Sequence, residues 1–408
     1  MKKILLTLVS VLSLSAYGQR TCGTDKKMAE FFVANPEVAA NRTALKDFLV
    51  NNKSQLNRKA GVITIPVVVH VLYSNATMNI SDAQIASQMK VLNDDFRKLN
   101  ADFSTAVPTV FQGVAADMEL AFCLATKKPD GSSTNGIERK SVASNFNFNN
   151  NYYKSSGLPS WDTTKYLNIW VGNMTTYLGW AYLPDNAGGS DDGLAIGYKY
   201  FGTTGTVVSP YNKGRTATHE IGHYFGLNHI WGDEENSCGT SLGDDGCADT
   251  PATKEPYFGT PTFPTNTYAC TTSANGSMFM NYMDYVDDVA MAMFTNDQKT
   301  ITQNTMAGPR ASLLNSNACS STLGVDDVEK SNSINVFPNP AVNYISIASP
   351  LVKINEVEIF GNDGRLVKRA NIKNETDKID VKSLPVGTYF VRTYDNGNFI
   401  KSMKFIKQ

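Results

Sequence analysis

Three of the four histidines of this chain lie within one segment, residues 219–229, which reads HEIGHYFGLNH. His219 and His223 are four residues apart, so a helix places both imidazoles on the same face. Gly226 can adopt the positive φ that ends a helix and turns the chain back, and this turn brings His229 toward the other two rings. The segment therefore predicts a metal site built on one helix and the turn that follows it.

The spacing H-E-x-x-H-x-x-G-x-x-H is the signature of the metzincin zinc proteases. In a chain of this length, a chance match at these fixed positions has a probability on the order of 10⁻⁵. Three protein ligands leave one coordination position of zinc open for water, as catalytic zinc requires. Glu220 follows His219 directly and can reach that water, so we expect Glu220 to act as the general base. The alternative is a degenerate, inactive relative, and the presence of every fixed residue argues against it.

The composition of the chain and its amino-terminal sequence indicate an exported protein. With 408 residues, the chain is long enough for about two or three domains and a sizeable core. The net charge is −1 and 18% of the residues are charged, without a basic patch that would indicate nucleic-acid binding. Residues 1–18 are typical of a secretory signal peptide, because two lysines precede an apolar stretch too short to span a bilayer, and small residues follow. We expect a secreted or cell-surface protein that is exported through the periplasm and has no transmembrane segment.

Hydrophobic patterns divide the remaining chain into a pro-segment at 19–60 and a catalytic domain at 61–318. The pro-segment is polar and helix-prone, and a strand begins sharply after it. We predict strands at 62–72, 118–124, 166–171 and 178–184, and helices at 81–99, 214–227 and 295–314. This mixture of strands and helices predicts an α/β or α+β domain.

The composition changes again near the carboxyl end. Residues 319–332 form a polar linker, and residues 333–408 contain short β-rich runs separated by turn sequences such as Asn362-Asp363-Gly364. Short strands at regular spacing predict a small all-β, immunoglobulin-like sandwich.

The catalytic region resembles the pappalysin family of metzincins, in particular its secreted bacterial and archaeal members. The segments that carry the resemblance are HEIGHYFGLNHIWGD, Asp249-Thr250-Pro251, FMNYMDYVDD and Met293-Phe294-Thr295. The resemblance runs from about Cys22 to Leu314, and it implies a metzincin-type domain with a twisted sheet and an active-site helix. It also implies a zinc-dependent endopeptidase that acts on proteins or peptides, with zinc on His219, His223 and His229 and with Glu220 as the base.

A metzincin needs a methionine turn beneath the zinc, and we assign Met283 to pack there without binding the metal. The hydroxyl of Tyr285 is placed to stabilise the oxyanion of the tetrahedral intermediate. An extended substrate is expected to pair with an edge strand such as Gly179 to Leu183. Some relatives select a basic residue after the scissile bond with an acid six residues past the methionine. Here Val289 occupies that position, although Asp287 and Asp288 lie next to it.

The resemblance also implies structural calcium bound by Glu234, Asp245 and Thr250, which offer the oxygen ligands that calcium requires. The alternative is an acidic, solvated loop.

Members of the family are made as latent zymogens in which a pro-segment cysteine blocks the zinc, and Cys22 stands in that place. An ordinary structural cysteine is the alternative. The sequence leaves the disulfide pattern open. One bridge of the relatives is lost here, because Thr260 and Ala290 occupy its positions. Cys238–Cys270 is favoured as the other bridge, and Cys238–Cys247 stays open.

The carboxyl-terminal region resembles the type A sorting domain of type IX secretion in Bacteroidetes. The segments VFPNP, IFGNDGR, LPVGTY and KFIK carry this resemblance, and their order is more specific than each segment alone. It implies that the type IX secretion machinery is a partner, and we expect the protein to be a monomer. A generic adhesion module is the alternative for this region. For the whole chain, the alternatives are a surface adhesin with a vestigial zinc site and another zinc hydrolase, such as an amidase.

Overall fold

The computed structural model describes residues 21–52, 61–232, 238, 245–319, 334–350, 353–362, 364–374, 377–395 and 398–408. At the amino end, the predicted pro-segment forms two helices, α1 (Thr24–Ala34) and α2 (Pro36–Asn51). Asn35 separates them with φ −131° and ψ 70°, because proline disfavours a helical conformation in the residue before it.

A six-stranded sheet forms the centre of the catalytic region. Its strands are β1 (Ile63–Tyr73), β2 (Leu120–Leu124), β3 (Ile137–Ser141), β4 (Leu167–Gly172), β5 (Gly179–Ala181) and β6 (Leu194–Gly197). The order is β2-β1-β4-β6-β5, and β3 also pairs with β1. All pairs are parallel except β5 with β6. Strand β5 is therefore an antiparallel edge strand.

Helices cover the sheet. They are α3 (Asp82–Phe96), α4 (Phe103–Ala106), α5 (Thr109–Gln112), α6 (Phe148–Asn151), α7 (Arg215–Tyr224) and α8 (Asn296–Ala307), with 3-10 turns at Pro184–Asn186, Tyr198–Tyr200 and Ala311–Asn315. Ser81 caps α3 by accepting a hydrogen bond from the amide of Gln84. Helix α7 packs against α3, β5 and β6, and this packing fixes the histidine-bearing helix beside the edge strand.

The predicted mixed α/β class is confirmed, with differences at several element ends. We predicted a closing helix to residue 314, but α8 ends at Ala307 because Gly308 and Pro309 follow it. The predicted strand at 178–184 is regular only over β5. None of the helices in the described part of the chain is long and apolar enough to cross a membrane.

The carboxyl-terminal region folds as two antiparallel sheets, which confirms the predicted β-sandwich. Its strands are β7 (Asn335–Phe337), β8 (Tyr344–Ala348), β9 (Glu356–Gly361), β10 (Leu366–Asn371), β11 (Ile379–Asp380), β12 (Gly387–Asp395) and β13 (Asn398–Lys407). One sheet has the order β10-β9-β12-β13 and the other β11-β8-β7. Ile345, Val357, Val391 and Phe405 belong to a hydrophobic core separate from that of the catalytic region.

Two disulfides cross-link the catalytic region. Cys238–Cys270 forms, as favoured from the sequence. A second bridge joins Cys123 on β2 to Cys319, which we placed at the start of the polar linker. Cys319 is therefore fastened to the catalytic sheet, and Cys22 and Cys247 remain thiols.

Candidate active site

Helix α7 and the turn after it bring the three predicted metal ligands together. The Nε2 atom of His223 lies 3.2 Å from Nε2 of His219 and 3.1 Å from Nε2 of His229. Gly226 has a φ of 91°, and its amide donates to the carbonyl of His223. This glycine ends the helix and returns the chain, so that the third imidazole faces the first two.

Backbone carbonyls determine which ring nitrogens carry protons. His219 Nδ1 lies 2.7 Å from the carbonyl oxygen of Tyr282, and His223 Nδ1 lies 2.8 Å from that of Leu227. A carbonyl can only accept, so both Nδ1 atoms are protonated and both Nε2 lone pairs point at the common centre. Burial and the electrostatic interaction with His229 lower the pKa of His223 to about 3, so the His223 imidazole is neutral. Lone pairs that converge at 3.2 Å repel one another unless a cation lies between them, and this arrangement fits a metal ion.

Cys22 of the pro-segment reaches the same centre. Its sulfur and one nitrogen from each histidine all lie within 4.8 Å of one another. Three imidazoles and a thiolate form a ligand set that suits zinc. Burial and the Glu220 carboxylate raise the pKa of the Cys22 thiol, so a cation among the histidines is what would stabilise the thiolate.

The pro-segment also covers Glu220. The hydroxyl of Thr24 donates to Glu220 Oε2 at 3.1 Å, and the thiol of Cys22 lies 3.4 Å from the same oxygen. The Thr24 hydroxyl in turn accepts from the amide of Ala181 on β5. Gly179 makes room for this carboxylate, because a Cβ there would lie 3.0 Å from Glu220 Cγ. The contacts of Thr24 and Gly179 with Glu220 were not predicted, since these residues are distant from Glu220 in sequence.

The edge strand pairs with the pro-segment. Cys22 and Gly179 form a parallel bridge, in which the amide of Gly23 donates to the carbonyl of Gly179 at 2.8 Å. The amide of Leu178 donates to the carbonyl of Thr21 at 2.9 Å. The pro-segment thus occupies backbone groups of the strand that we expected to receive substrate.

Asp25 of the pro-segment contacts the third histidine. Its Oδ2 lies 3.3 Å from His229 Nδ1. Burial raises the pKa of Asp25, but the electrostatic interaction and the hydrogen bond with His229 outweigh this effect and lower it to about 2, so the carboxylate is charged. Trp231 stacks on the His229 ring with 4.4 Å between the ring centroids. Nothing in the sequence pattern marked Asp25 or Trp231 as contacts of His229.

The methionine turn lies beneath the histidines. Met283 is fully buried, and a Cβ on Gly222 of α7 would clash with its sulfur. The Met283 amide donates to Asn281 Oδ1, and the Asn281 side chain pairs with that of Gln298 on α8. The contact of Gly222 with Met283 was not predicted, although Gly222 lies inside the motif.

Tyr285 lies at the rim of the same cluster. Its ring centroid is 4.9 Å from that of His229 and 5.8 Å from that of His219. Burial raises the pKa of Tyr285, so its hydroxyl keeps the proton and can donate it in a hydrogen bond. The structure therefore places Glu220 and Tyr285 around one centre with the three histidines.

Other residues singled out from the sequence lie outside this centre. Asp245 and Thr250 contact each other, with 2.8 and 2.9 Å from the Thr250 hydroxyl to the two carboxylate oxygens, while Glu234 lies outside the described residues. Val289 is 46% exposed. The fourth histidine of the chain, His70, is buried in β1 between Glu138 and Asn168 and packs within the sheet.

The amino end of α7 is also held by charged groups. Asp288 accepts from the amides of Lys213 and Arg215. The Arg215 side chain lies 3.0 Å from Asp95 on α3 and 3.0 Å from Asp102. Asp288 is therefore bound to the start of the helix.

The chain is similar to several known proteins. A family model described as pregnancy-associated plasma protein-A matches residues 150–307, and one described as a secretion system C-terminal sorting domain matches residues 335–408. A promirolysin mutant from Tannerella forsythia is 40% identical with a TM-score of 0.66, over 72% of this chain and 97% of that chain. Mature mirolysin from the same organism, in complex with a cleaved peptide, is 43% identical with a TM-score of 0.58, over 63% and 97%. An extracellular metalloprotease of Uncinocarpus reesii is 28% identical over 287 residues, 69% of this chain and 86% of that protein.

The fold and the histidine centre define a zinc-dependent metalloendopeptidase. The chain belongs to the pregnancy-associated plasma protein-A family, the pappalysins, and it carries a C-terminal sorting domain of type IX secretion. It is secreted or located at the cell surface, and it is made as a latent zymogen. The predicted family, enzyme class and localisation are confirmed, and the alternative of an adhesin with a vestigial site is not favoured.

Proposed function

We propose that this enzyme cleaves peptide bonds with Glu220 as the general base and with a zinc ion held by His219, His223 and His229. The observation that carries this proposal is the convergence of the three Nε2 atoms next to the buried Glu220 carboxylate. The zinc ion, when bound, supplies Lewis acidity, which polarises a carbonyl oxygen and acidifies water.

Glu220 performs the proton transfers. It takes a proton from the attacking water and then passes it to the leaving amine. The same carboxylate oxygen accepts from Thr24 in the latent chain, so removal of the pro-segment frees it for water. The protonated hydroxyl of Tyr285 donates to the oxyanion, and Met283 supports the histidines from below.

The substrate lies extended along β5. In the latent chain, the pro-segment already uses the carbonyl of Gly179 and the amide of Leu178 for backbone pairing. Backbone pairing with an exposed strand is tolerant of sequence, because it recognises the main chain of the peptide. An edge strand with this role suits an enzyme that acts on many protein segments.

Latency comes from the pro-segment, with Cys22 as its metal ligand. With zinc bound, the Cys22 thiolate would hold the ion in place of the water that the reaction needs. Thr24 and Asp25 support the block, because one binds the base and the other binds His229 Nδ1.

We also propose that the loop containing Asp245 and Thr250 holds a calcium ion, with Glu234 as a further ligand. The buried Asp245 carboxylate and its contact with Thr250 support this proposal, since calcium prefers oxygen ligands. Calcium should raise the thermal unfolding temperature of the wild type more than that of Asp245→Asn. Equal shifts would contradict the calcium site.

Residues 333–408 are proposed to direct export by the type IX machinery and to take no part in catalysis. Their core is separate from that of the catalytic region. We further propose that the enzyme is a monomer, which sedimentation of the purified chain tests.

The decisive experiment for the catalytic proposal replaces the base. Glu220→Ala should lower peptide hydrolysis by at least ~10²-fold while zinc stays bound, because Glu220 is not a ligand. The measurements are the initial cleavage rate and the zinc content of the purified protein. Glu119→Gln is the matched control, since Glu119 pairs with Lys299, and it should cleave like the wild type. Near-normal cleavage by a zinc-loaded Glu220→Ala protein would refute the mechanism.

A further inference from the structure

Arg310 is a buried arginine in the turn after α8, with 2% of its surface exposed. Its Nε donates to the carbonyl oxygen of Tyr224 at 2.7 Å. Its Cζ lies 3.4 Å from the centroid of the Tyr224 ring. Tyr224 is the last residue of α7. Arg310 thus holds the carboxyl end of the helix that carries His219 and His223.

The other side of the same guanidinium contacts the segment before β6 and the residue that follows the edge strand β5. One terminal nitrogen donates to Asp192 Oδ2 at 2.6 Å, and the other donates to Asp192 Oδ1 at 2.8 Å. The second nitrogen also donates to the carbonyl oxygen of Tyr182 at 3.4 Å. Tyr182 directly follows β5, and its amide pairs with the carbonyl of Gly193 beside β6. One side chain therefore bridges the two walls of the proposed cleft.

A buried ion pair of this kind needs a reason beyond stability. Taking two charges out of water is unfavourable, and well-packed apolar residues often replace such a pair without loss of stability. The Arg310–Asp192 pair is bidentate, so it fixes direction as well as distance. Nε also satisfies a carbonyl that α7 itself leaves unpaired at its end. These contacts specify geometry more than they add stability.

We propose that Arg310 is a positioning residue for cleavage, which sets the spacing between the histidine-bearing helix and the strand that binds substrate. This inference rests on the proposed function, in which the peptide pairs with β5. The spacing matters because a displacement of about 1 Å between reacting groups can lower the rate on the order of 10²-fold. Arg310 acts through Tyr224 and Tyr182, and it does not itself touch the reacting atoms.

The test compares two peptides with the same scissile bond. One extends far enough before the bond to pair with β5, and the other is truncated to a single residue there. The full-length chain and its Arg310→Lys variant are matured, and kcat, KM and zinc content are measured. The wild type should prefer the long peptide, mainly through KM. In Arg310→Lys this preference should fall at least ~5-fold while zinc stays stoichiometric, because a lysine cannot bind both walls.

Arg215→Lys is the matched control for stability. Arg215 is also a buried arginine of α7, but it pairs with Asp95 and Asp102 at the amino end of the helix. This variant should lose thermal stability and keep the wild-type ratio of kcat/KM values for the two peptides. If Arg310 had a purely structural role, Arg310→Lys would likewise lose thermal stability and keep the wild-type ratio of kcat/KM values. An unchanged ratio in zinc-loaded Arg310→Lys would therefore overturn the proposal.

Two further outcomes are informative. If Arg310→Lys does not fold, Asp192→Asn provides the test, because this variant keeps the arginine and the shape of its partner. The same ratio of kcat/KM values for the long and the truncated peptide is then measured. A wild type that cleaves both peptides equally well would contradict pairing with β5 and overturn this inference, while leaving Glu220 as the base. A wild type that cleaves neither would contradict the proposed function itself.

Discussion

At the scale of single residues, four consecutive positions of the pro-segment contact the histidine centre and its surroundings. Cys22 lies among the three histidines, Gly23 pairs with the edge strand, Thr24 bonds to Glu220 and Asp25 contacts His229. The approach of Cys22 to the histidines could be predicted because thiolate chemistry toward zinc is a property of the residue itself. The contacts of Thr24 and Asp25 could not, since threonine and aspartate are common and their partners lie about two hundred residues away.

Replacing Cys22 and Thr24 separates two proposed causes of latency. One is binding of the Cys22 thiolate to the zinc, and the other is the hydrogen bond from Thr24 to Glu220. Cys22→Ala should mature faster than the wild type, or show activity before cleavage, because the fourth metal position opens. Thr24→Val should have a smaller effect in the same direction, since a hydrogen bond to a charged group contributes roughly 1.5–3 kcal/mol. The double variant should mature fastest. The measurement is the time course of precursor conversion at low protein concentration.

Thr21→Val is the control, because the Thr21 hydroxyl bonds to the carbonyl of Thr176, away from Glu220. It should convert at the wild-type rate. If the Cys22→Ala precursor stays as inert as the wild type, covering of the cleft by α1 and α2 explains latency better than metal blocking.

At the scale of elements, helix α7, which carries His219 and His223, packs against the methionine turn as one unit. The sequence predicted the helix, its glycine end and Met283, because motif spacing and helical periodicity are local. It did not predict how closely the turn approaches the helix. That approach depends on Gly222, whose missing side chain leaves room for the sulfur of Met283. The supporting pair Asn281–Gln298 joins this unit to α8, a contact between elements that periodicity does not reveal.

Gly222→Ala should therefore damage the site more than a helical alanine normally would. Alanine favours the helix by about 1 kcal/mol over glycine, so stability would rise if space were available. Here the new methyl group displaces Met283, and overpacking of this kind typically costs about 1–3 kcal/mol. We expect a lower unfolding temperature together with weaker zinc retention, measured by thermal unfolding and by zinc content after dialysis.

Gly113→Ala is the matched control, because a Cβ at Gly113 meets no atom within 4 Å and its φ is −69°. It should be neutral or slightly stabilising. Full zinc retention in Gly222→Ala would show that the turn can move away without consequence.

At the scale of the whole molecule, the sequence predicted the mixed catalytic fold and the β-sandwich but not how distant parts are joined. Strand β3 has a partly exposed, charged pattern that does not resemble a core strand. The edge position expected for the strand at Gly179 is confirmed, but its antiparallel pairing with β6 is not specified by alternation along one strand. The Cys123–Cys319 bridge joins residues 196 positions apart and ties Cys319 to the catalytic sheet. Composition alone placed the domain boundary before Cys319.

This bridge determines where the sorting region can be removed. A chain that ends at Ser320 keeps Cys319 and should fold, mature and cleave peptides like the full-length enzyme, since the two cores are separate. A chain that ends at Asn317 loses the bridge, and it should be less stable by roughly 2–5 kcal/mol. Thermal unfolding and cleavage rates of the two purified proteins measure the difference.

In the native host, both chains should stall in the periplasm because the sorting domain is missing. Normal export of the longer chain would refute the sorting role of residues 333–408, whereas its failure to cleave peptides in vitro would show that catalysis depends on the β-sandwich.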